Sequence, residues 1–365
     1  MAKILFVSDV IMNGGASKML LWVAGTLTKQ NCVDVCYLAA FKPEYVPSDI
    51  RVFRLRNDTN KSDFLSRNTI GLVRNVKSIS ALIKNGKYDL VISFGDHSFY
   101  PLVISKLFCR FKLLVSERVD PYSVRKLSDT IRRKLYRYAD FMVFQTQQAA
   151  DYFKNTRHVR SAVIHNPATG TVERSWEYKE EAKYVITVGR IDIFQKRQDV
   201  LLEAFKKVHS CYPTYKLRII GGGDDKVELL KLIEKNGLND CVEYLGYKKH
   251  DEINELMRNA HLFVLSSDFE GIPNALIEAL QIGIPIVSTD CSPGGASLLL
   301  DNGKHGILVK RGDAVALSNG IEEALSSKEI LIRMGEMTKF ALDRFSEESI
   351  GNDWNKFIKQ CTCAL

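Results

Sequence analysis

Short apolar runs recur along this 365-residue chain, and segments of helical spacing separate most of them. Ile4-Leu5-Phe6-Val7, Val33 to Leu38, Leu90-Val91-Ile92-Ser93, Leu113-Leu114-Val115-Ser116 and Phe141-Met142-Val143-Phe144 form a first series. Tyr184 to Val188, Leu217 to Ile220, Val242 to Leu245, Leu262 to Leu265 and Pro285 to Ser288 form a second. An uninterrupted apolar strand is buried on both faces and needs helices above and below it. The alternation therefore predicts parallel, doubly wound α/β sheets, in which ligands sit beyond the strand C-termini. The length suits two domains of ordinary size.

Composition narrows the setting. Apolar residues make up 45% and charged residues 26%, as in an ordinary globular protein. No apolar stretch reaches the roughly 20 residues of a membrane-spanning helix, and MAKILFVSDV runs straight into a strand pattern without a signal-peptide cleavage region. Eight cysteines, with no C-x-x-C pair and Cys361-Thr362-Cys363 at the tail, read as free thiols in a reducing cytosol. The net charge of +8 is uneven: residues 1–170 hold 26 Lys/Arg against 13 Asp/Glu, and residues 171–365 hold 25 against 30. A basic first half points to an anionic partner. Zinc-finger spacing and RNA-binding signatures are absent, so the expectation is membrane or a lipid-linked acceptor rather than nucleic acid.

The chemistry concentrates in residues 270–285, EGIPNALIEALQIGIP. A strand ending in Ser266-Ser267-Asp268 feeds a turn, with Pro273 suited to the first position of a helix and Gly283 to its stop. Ala275, Leu276, Ala279 and Leu280 take its apolar face. Such a strand–turn–helix unit aims free N–H groups and the positive end of the helix dipole at the turn, which suits a phosphate. Glu270 and Glu278 would repel that phosphate, so their role is to accept hydrogen bonds from sugar hydroxyls. Together these features describe a nucleotide-sugar pocket.

This block resembles the E-x7-E signature of retaining glycosyltransferase family 4, the bacterial surface-polysaccharide type. The resemblance implies the GT-B architecture: an α/β fold of two facing Rossmann-like doubly wound domains with a cleft between them. On that plan residues 1–168 form an acceptor-side domain, 169–182 a linker, 183–344 the donor domain, and 345–365 a helix crossing back to the first domain. The resemblance places Glu270 beside the donor sugar and Glu278 on the nucleotide ribose. Backbone groups of Gly271, Ile272, Asn274, Ala275 and Leu276 cap the diphosphate. Gly14 and Gly15, in an N-terminal Gly-Gly loop, face the donor phosphates, and His97 lies beside the transferred sugar.

No Asp-x-Asp motif is present; Asp268-Phe269-Glu270 comes nearest. The expected site is therefore metal-free and without a cofactor. Fixed cations then stabilise the leaving diphosphate. Arg190, with its fork of donors, and Lys196, a mobile point charge, serve this role after the strand Tyr184–Val188. The loop Arg190-Ile191-Asp192-Ile193-Phe194-Gln195-Lys196 is one residue longer than the family spacing, which leaves Lys196 and Arg197 both open for the phosphate. Gly221 and Gly223 allow close approach near the nucleotide. Tyr247 has two readings, a base contact or a surface turn.

Two polar groups mark strand ends in the first half, Gly95-Asp96-His97 and Glu117-Arg118. Val124 to Tyr138 reads as a basic amphipathic helix with Leu127, Ile131, Leu135 and Tyr138 on one face, open to either a membrane surface or a protein core. The implied activity is metal-independent transfer of a hexosyl or N-acetylhexosaminyl group, from a donor expected to be a UDP-sugar. The acceptor is lipid-linked or a polysaccharide, reached from the inner face of the cytoplasmic membrane. A GT-B epimerase or hydrolase, and a non-catalytic nucleotide-sugar binding module, are the alternatives.

Overall fold

The computed structural model describes residues 1–8, 15–38, 46–55, 69–95, 98–118, 120–123, 127–154, 159–169 and 175–363. The chain forms two compact units, Met1–Asn166 with Glu347–Leu365, and Pro167–Ser346.

The first unit holds a sheet of seven strands: β1 Lys3–Ser8, β2 Cys32–Tyr37, β3 Arg51–Arg54, β4 Leu90–Phe94, β5 Lys112–Ser116, β6 Phe141–Phe144 and β7 Arg160–Val163. Their order is β3-β2-β1-β4-β5-β6-β7 and every pairing is parallel; Phe6 lies opposite both Val35 and Ile92. The edge strands β3 and β7 escape a search for apolar runs because they are short, charged and partly exposed. On one face Ile4, Phe6 and Ile92 meet Leu20, Val23 and Leu27 of the helix Gly15–Thr28, together with Ile350, Trp354, Phe357 and Ile358 of the final helix. On the other face Leu5, Val7 and Val91 meet Ile79, Phe99, Tyr136 and Phe153. Lys112 fastens the final helix by donating to the carbonyl of Cys361 at 3.0 Å. Its apolar side completes the first unit's core, as its burial pattern requires.

The second unit holds six parallel strands: β8 Tyr184–Val188, β9 Lys216–Ile220, β10 Val242–Gly246, β11 Leu262–Leu265, β12 Ile286–Thr289 and β13 Ile307–Val309. They lie in the order β10-β9-β8-β11-β12-β13. Residues 175–182, in the stretch expected to link the domains, are anchored on this unit by aromatic side chains. Trp176 donates its indole N–H to the carbonyl of Ala260 at 2.7 Å, and Tyr178 stacks on the buried His261.

The basic segment departs from its expected face. Residues Leu127–Leu135 are α-helical and Tyr136–Tyr138 form a 3₁₀ turn, but Ile131 and Tyr138 are exposed while Arg133 and Tyr136 are buried. Arg133 donates to the carbonyl of Asp120 at 3.2 Å and lies over the Tyr152 ring. One terminal nitrogen is met by a carbonyl and the guanidinium face by an aromatic ring, while Nε and the other terminal nitrogen are buried with no hydrogen-bond partner among the described residues. Among the described residues no helix is long and apolar enough to cross a membrane.

Candidate active site

Strand order in the second sheet reverses between β8 and β11, because the chain builds outward from β8 through β9 and β10, then returns to its other side. The carboxyl ends at such a switch point form the binding crevice of doubly wound sheets. Two polar loops leave it: Gly189-Arg190 onward from β8, and Ser266-Ser267-Asp268-Phe269-Glu270 from β11. They meet through side chains.

Asp192 caps the short helix Ile193–Lys196 by accepting from the Gln195 N–H at 3.0 Å, which points Lys196 across to the β11 loop. There the ammonium pairs with the Glu270 carboxylate. Ser267 donates to the same carboxylate oxygen at 2.8 Å, and Gln195 holds the loop by donating to the carbonyl of Phe269 at 3.1 Å. The Lys196 and Glu270 side chains are only 18% and 10% exposed, so water screens this pair less than a surface pair. Arg190 stands further out, with 61% of its side chain exposed, and its guanidinium is steered by Gln195 at 2.7 Å and Asp192 at 3.1 Å.

Lys196 and Arg197 differ in their partners. Arg197 takes a left-handed backbone, φ +50°, between two helices and turns away. Its Nε and one terminal nitrogen donate to Asp199 at 3.0 and 3.1 Å, its other terminal nitrogen donates to Asp268, and these carboxylates hold its charge firmly, pushing its pKa up. Arg197 is thus a strut, and Lys196 is the cation beside Glu270.

The helix after the turn spans Asn274–Ile282. Pro273 sits one position earlier than expected, as the cap: its dihedrals are extended and its carbonyl accepts from the Leu276 and Ile277 N–H groups at 3.1 and 3.2 Å. Leu276, Ile277, Leu280 and Ile282 are buried, Ala275 is partly so, and Gly283 ends the helix with φ +89°. Glu278 keeps a quarter of its side chain exposed and lies 3.5 Å from His250 Nε2, at the start of the helix His250–Arg258. Ile272 is buried. Gly271 is held from behind, because a Cβ on Gly295 would stand 2.0 Å from its carbonyl oxygen.

Two glycines are required by the backbone packed against them. A Cβ on Gly221, whose φ is +144°, would fall 1.8 Å from the Gly189 carbonyl oxygen, and one on Gly223 would fall 2.0 Å from that of Ile191. They let the β9 loop lie against the backbone that carries Arg190. Tyr247 follows Gly246 with 66% of its surface exposed. In the first unit Gly15 opens the helix Gly15–Thr28, whereas Gly14 and His97 lie outside the described residues.

Sequence reasoning missed Gln195, Ser267, His250, the Arg197–Asp268 strut and Gly295. Only Gly295 carried a signal, the Pro293-Gly294-Gly295 turn. Gln195 and Arg197 have partners 71 to 75 positions away, His250 pairs with a residue on another helix, and Ser267 is an ordinary polar residue three positions before Glu270.

Comparison with known proteins matches residues 170–339 to the family described as glycosyl transferases group 1. An uncharacterized glycosyltransferase of Methanocaldococcus jannaschii is 30% identical over 277 residues, 66% of this chain and 68% of that protein. The chain belongs to the group 1 glycosyl transferases. A second relative, from Campylobacter jejuni, is 25% identical over 365 residues, 99% of each chain. Its name describes an α-1,4-N-acetyl-D-galactosaminyltransferase acting on a GalNAc-containing diphospho-undecaprenol. Among solved structures, an Anabaena protein in complex with UDP and glucose superposes with a TM-score of 0.78 at 19% identity, over 98% of this chain and 100% of that one. The fold of this group 1 enzyme is GT-B, and its activity is glycosyl transfer.

Proposed function

We propose that this enzyme is a retaining, metal-independent glycosyltransferase of family 4. It moves a hexosyl or N-acetylhexosaminyl group from a UDP-sugar to a lipid-linked or polysaccharide acceptor in surface-glycan biosynthesis. One observation carries the reading: Lys196 pairs with Glu270 at the switch point of the second sheet, with Arg190 further out on the same loop and the start of the helix that bears Glu278 following Glu270. The Campylobacter relative's diphospho-undecaprenol acceptor and the Anabaena complex with UDP and glucose support the choice of acceptor and donor.

In this reading Lys196 and Arg190 stabilise the charge that grows on the departing diphosphate, and N–H groups around Gly271 to Leu276 add the helix dipole. Glu270 fixes the Lys196 ammonium with one carboxylate oxygen, and the other accepts from sugar hydroxyls. The sugar passes through an oxocarbenium-like state and receives the acceptor on the face the diphosphate leaves. His97 takes part beside the sugar. The deciding assay incubates the protein with a panel of UDP-sugars and a membrane extract, with and without EDTA. Acceptor-dependent UDP release that survives EDTA is expected; release without acceptor, or loss with EDTA, would reject the transferase or the metal-free reading respectively.

Glu278→Ala removes the ribose acceptor and should weaken UDP binding about tenfold, the worth of one hydrogen bond to a charged group. Isothermal titration with UDP measures it directly, and unchanged affinity would move the ribose elsewhere. For the membrane, exposed Ile131 and Tyr138 beside exposed Lys134 and Arg137 offer an apolar and basic surface. We assign this surface to the inner face of the cytoplasmic membrane. Lys134→Glu with Arg137→Glu should reduce sedimentation with phosphatidylglycerol vesicles several-fold, at roughly 1 kcal/mol per basic residue. Equal sedimentation would exclude it.

A further inference from the structure

Arg118 sits just past the C-terminal end of β5 in an unusual setting for a charge. Successive residues there point to opposite faces. Glu117 is buried and accepts from the Tyr136 hydroxyl at 2.6 Å, whereas Arg118 lies between aromatic rings, its guanidinium carbon 4.5 Å from the Phe94 ring centre and 5.8 Å from that of Trp354. Its Nε donates to Ser116 Oγ at 2.8 Å and one terminal nitrogen to Asn166 Oδ1 at 2.9 Å. Both acceptors are neutral. Among the described residues no carboxylate lies within 4 Å of the guanidinium, unlike Arg51, Arg190, Arg197 and Arg218, each of which is paired with one. Loss of hydration pulls the Arg118 pKa down to about 9, and the nearby Glu117 charge opposes the shift only in part.

A partly buried cation without a counter-ion is costly, and an arriving anion offsets that cost. The surroundings are built rather than incidental. Ser116 and Asn166 are buried, as are Ser93 and Ser98, whose hydroxyls stand 2.9 Å apart at the end of β4. Four strand ends, those of β4, β5, β6 and β7, thus bring Ser93, Ser116, Gln145 and Asn166 to the edge of the sheet where doubly wound folds bind ligands. Planar Arg, anchored through Nε and one terminal nitrogen, keeps its second terminal nitrogen for an oxyanion.

We propose that Arg118, with Ser116 and Asn166, forms an oxyanion-binding site on the first unit for a phosphate or carboxylate carried by the acceptor. It rests on the transferase reading, in that the donor diphosphate already has Arg190 and Lys196.

The test saturates the full-length protein with UDP and titrates inorganic pyrophosphate, or glucuronate, by calorimetry. Binding of either anion in the presence of UDP is expected, pyrophosphate marking an acceptor phosphate and glucuronate an acidic sugar. Arg118→Gln should weaken that binding at least tenfold and leave UDP affinity unchanged. Arg118→Lys keeps the charge and should retain intermediate binding, which separates the site from a fold defect should the Gln variant melt early. Absence of anion binding to the UDP-saturated protein would overturn the proposal, as would equal binding by Arg118→Gln. A loss of UDP affinity in Arg118→Gln would overturn it too, by giving the anion to the donor. Failure to bind UDP at all would instead reject the donor site.

Discussion

Lys196→Ala is expected to lower kcat on the order of 100-fold or more, the loss seen when a single charge-stabilising donor is removed from a reacting oxyanion. Arg190→Ala should fall in the same range. Arg197→Ala, one position further along, should act differently. Arg197 is committed to Asp199 and Asp268, so its removal loosens the β11 loop and raises the donor KM more than it lowers kcat. Steady-state kinetics at saturating UDP-sugar separates these outcomes. Lys196→Ala also strands the Glu270 carboxylate, which is 10% exposed, so a fall in thermal stability accompanies the kinetic loss. Lys196→Ala with Glu270→Gln relieves the stranded charge and should recover stability without recovering turnover. Near-normal turnover in Lys196→Ala, or a greater kcat loss in Arg197→Ala, would place the diphosphate on the other cation.

What could be read before folding follows from this division. Strands buried on both faces announce themselves as apolar runs, so ten of them stood out, whereas β3, β7 and β13, at sheet edges, carry mixed residues and did not. The Glu270 to Glu278 block was legible because a strand, a turn and a capped helix follow one another between Leu262 and Ile282. The different partners of Lys196 and Arg197 were not legible, because they depend on which carboxylate each side chain meets after the chain has returned from Arg197 to Asp268. Arg133 shows the same limit. Spacing assigned it to the wet face of a helix, and the Tyr152 ring with the Asp120 carbonyl takes it inward.

Gly295→Ala should produce the second large effect, although the residue touches no proposed ligand. A methyl group there would stand 2.0 Å from the Gly271 carbonyl oxygen and 3.1 Å from Pro273 Cδ. Neither neighbour is the free end of a flexible side chain. The loop that would have to yield is pinned on both sides: Glu270 N–H donates to the Ser292 carbonyl at 2.7 Å, and Ser292 N–H donates to the Asp268 carbonyl at 3.0 Å. Overcrowding of this kind costs roughly 1–3 kcal/mol of stability. The displaced turn also carries Glu270 and the diphosphate-capping N–H groups, and a shift of about 1 Å there is enough for a loss on the order of 100-fold in turnover. Gly294→Ala is the informative control. Its strain comes from a left-handed backbone, φ +81°, so it should destabilise through its own dihedrals. Thermal denaturation and UDP titration of both variants decide the matter. Wild-type UDP affinity in a folded Gly295→Ala protein would mean that the turn after Glu270 does not hold the diphosphate.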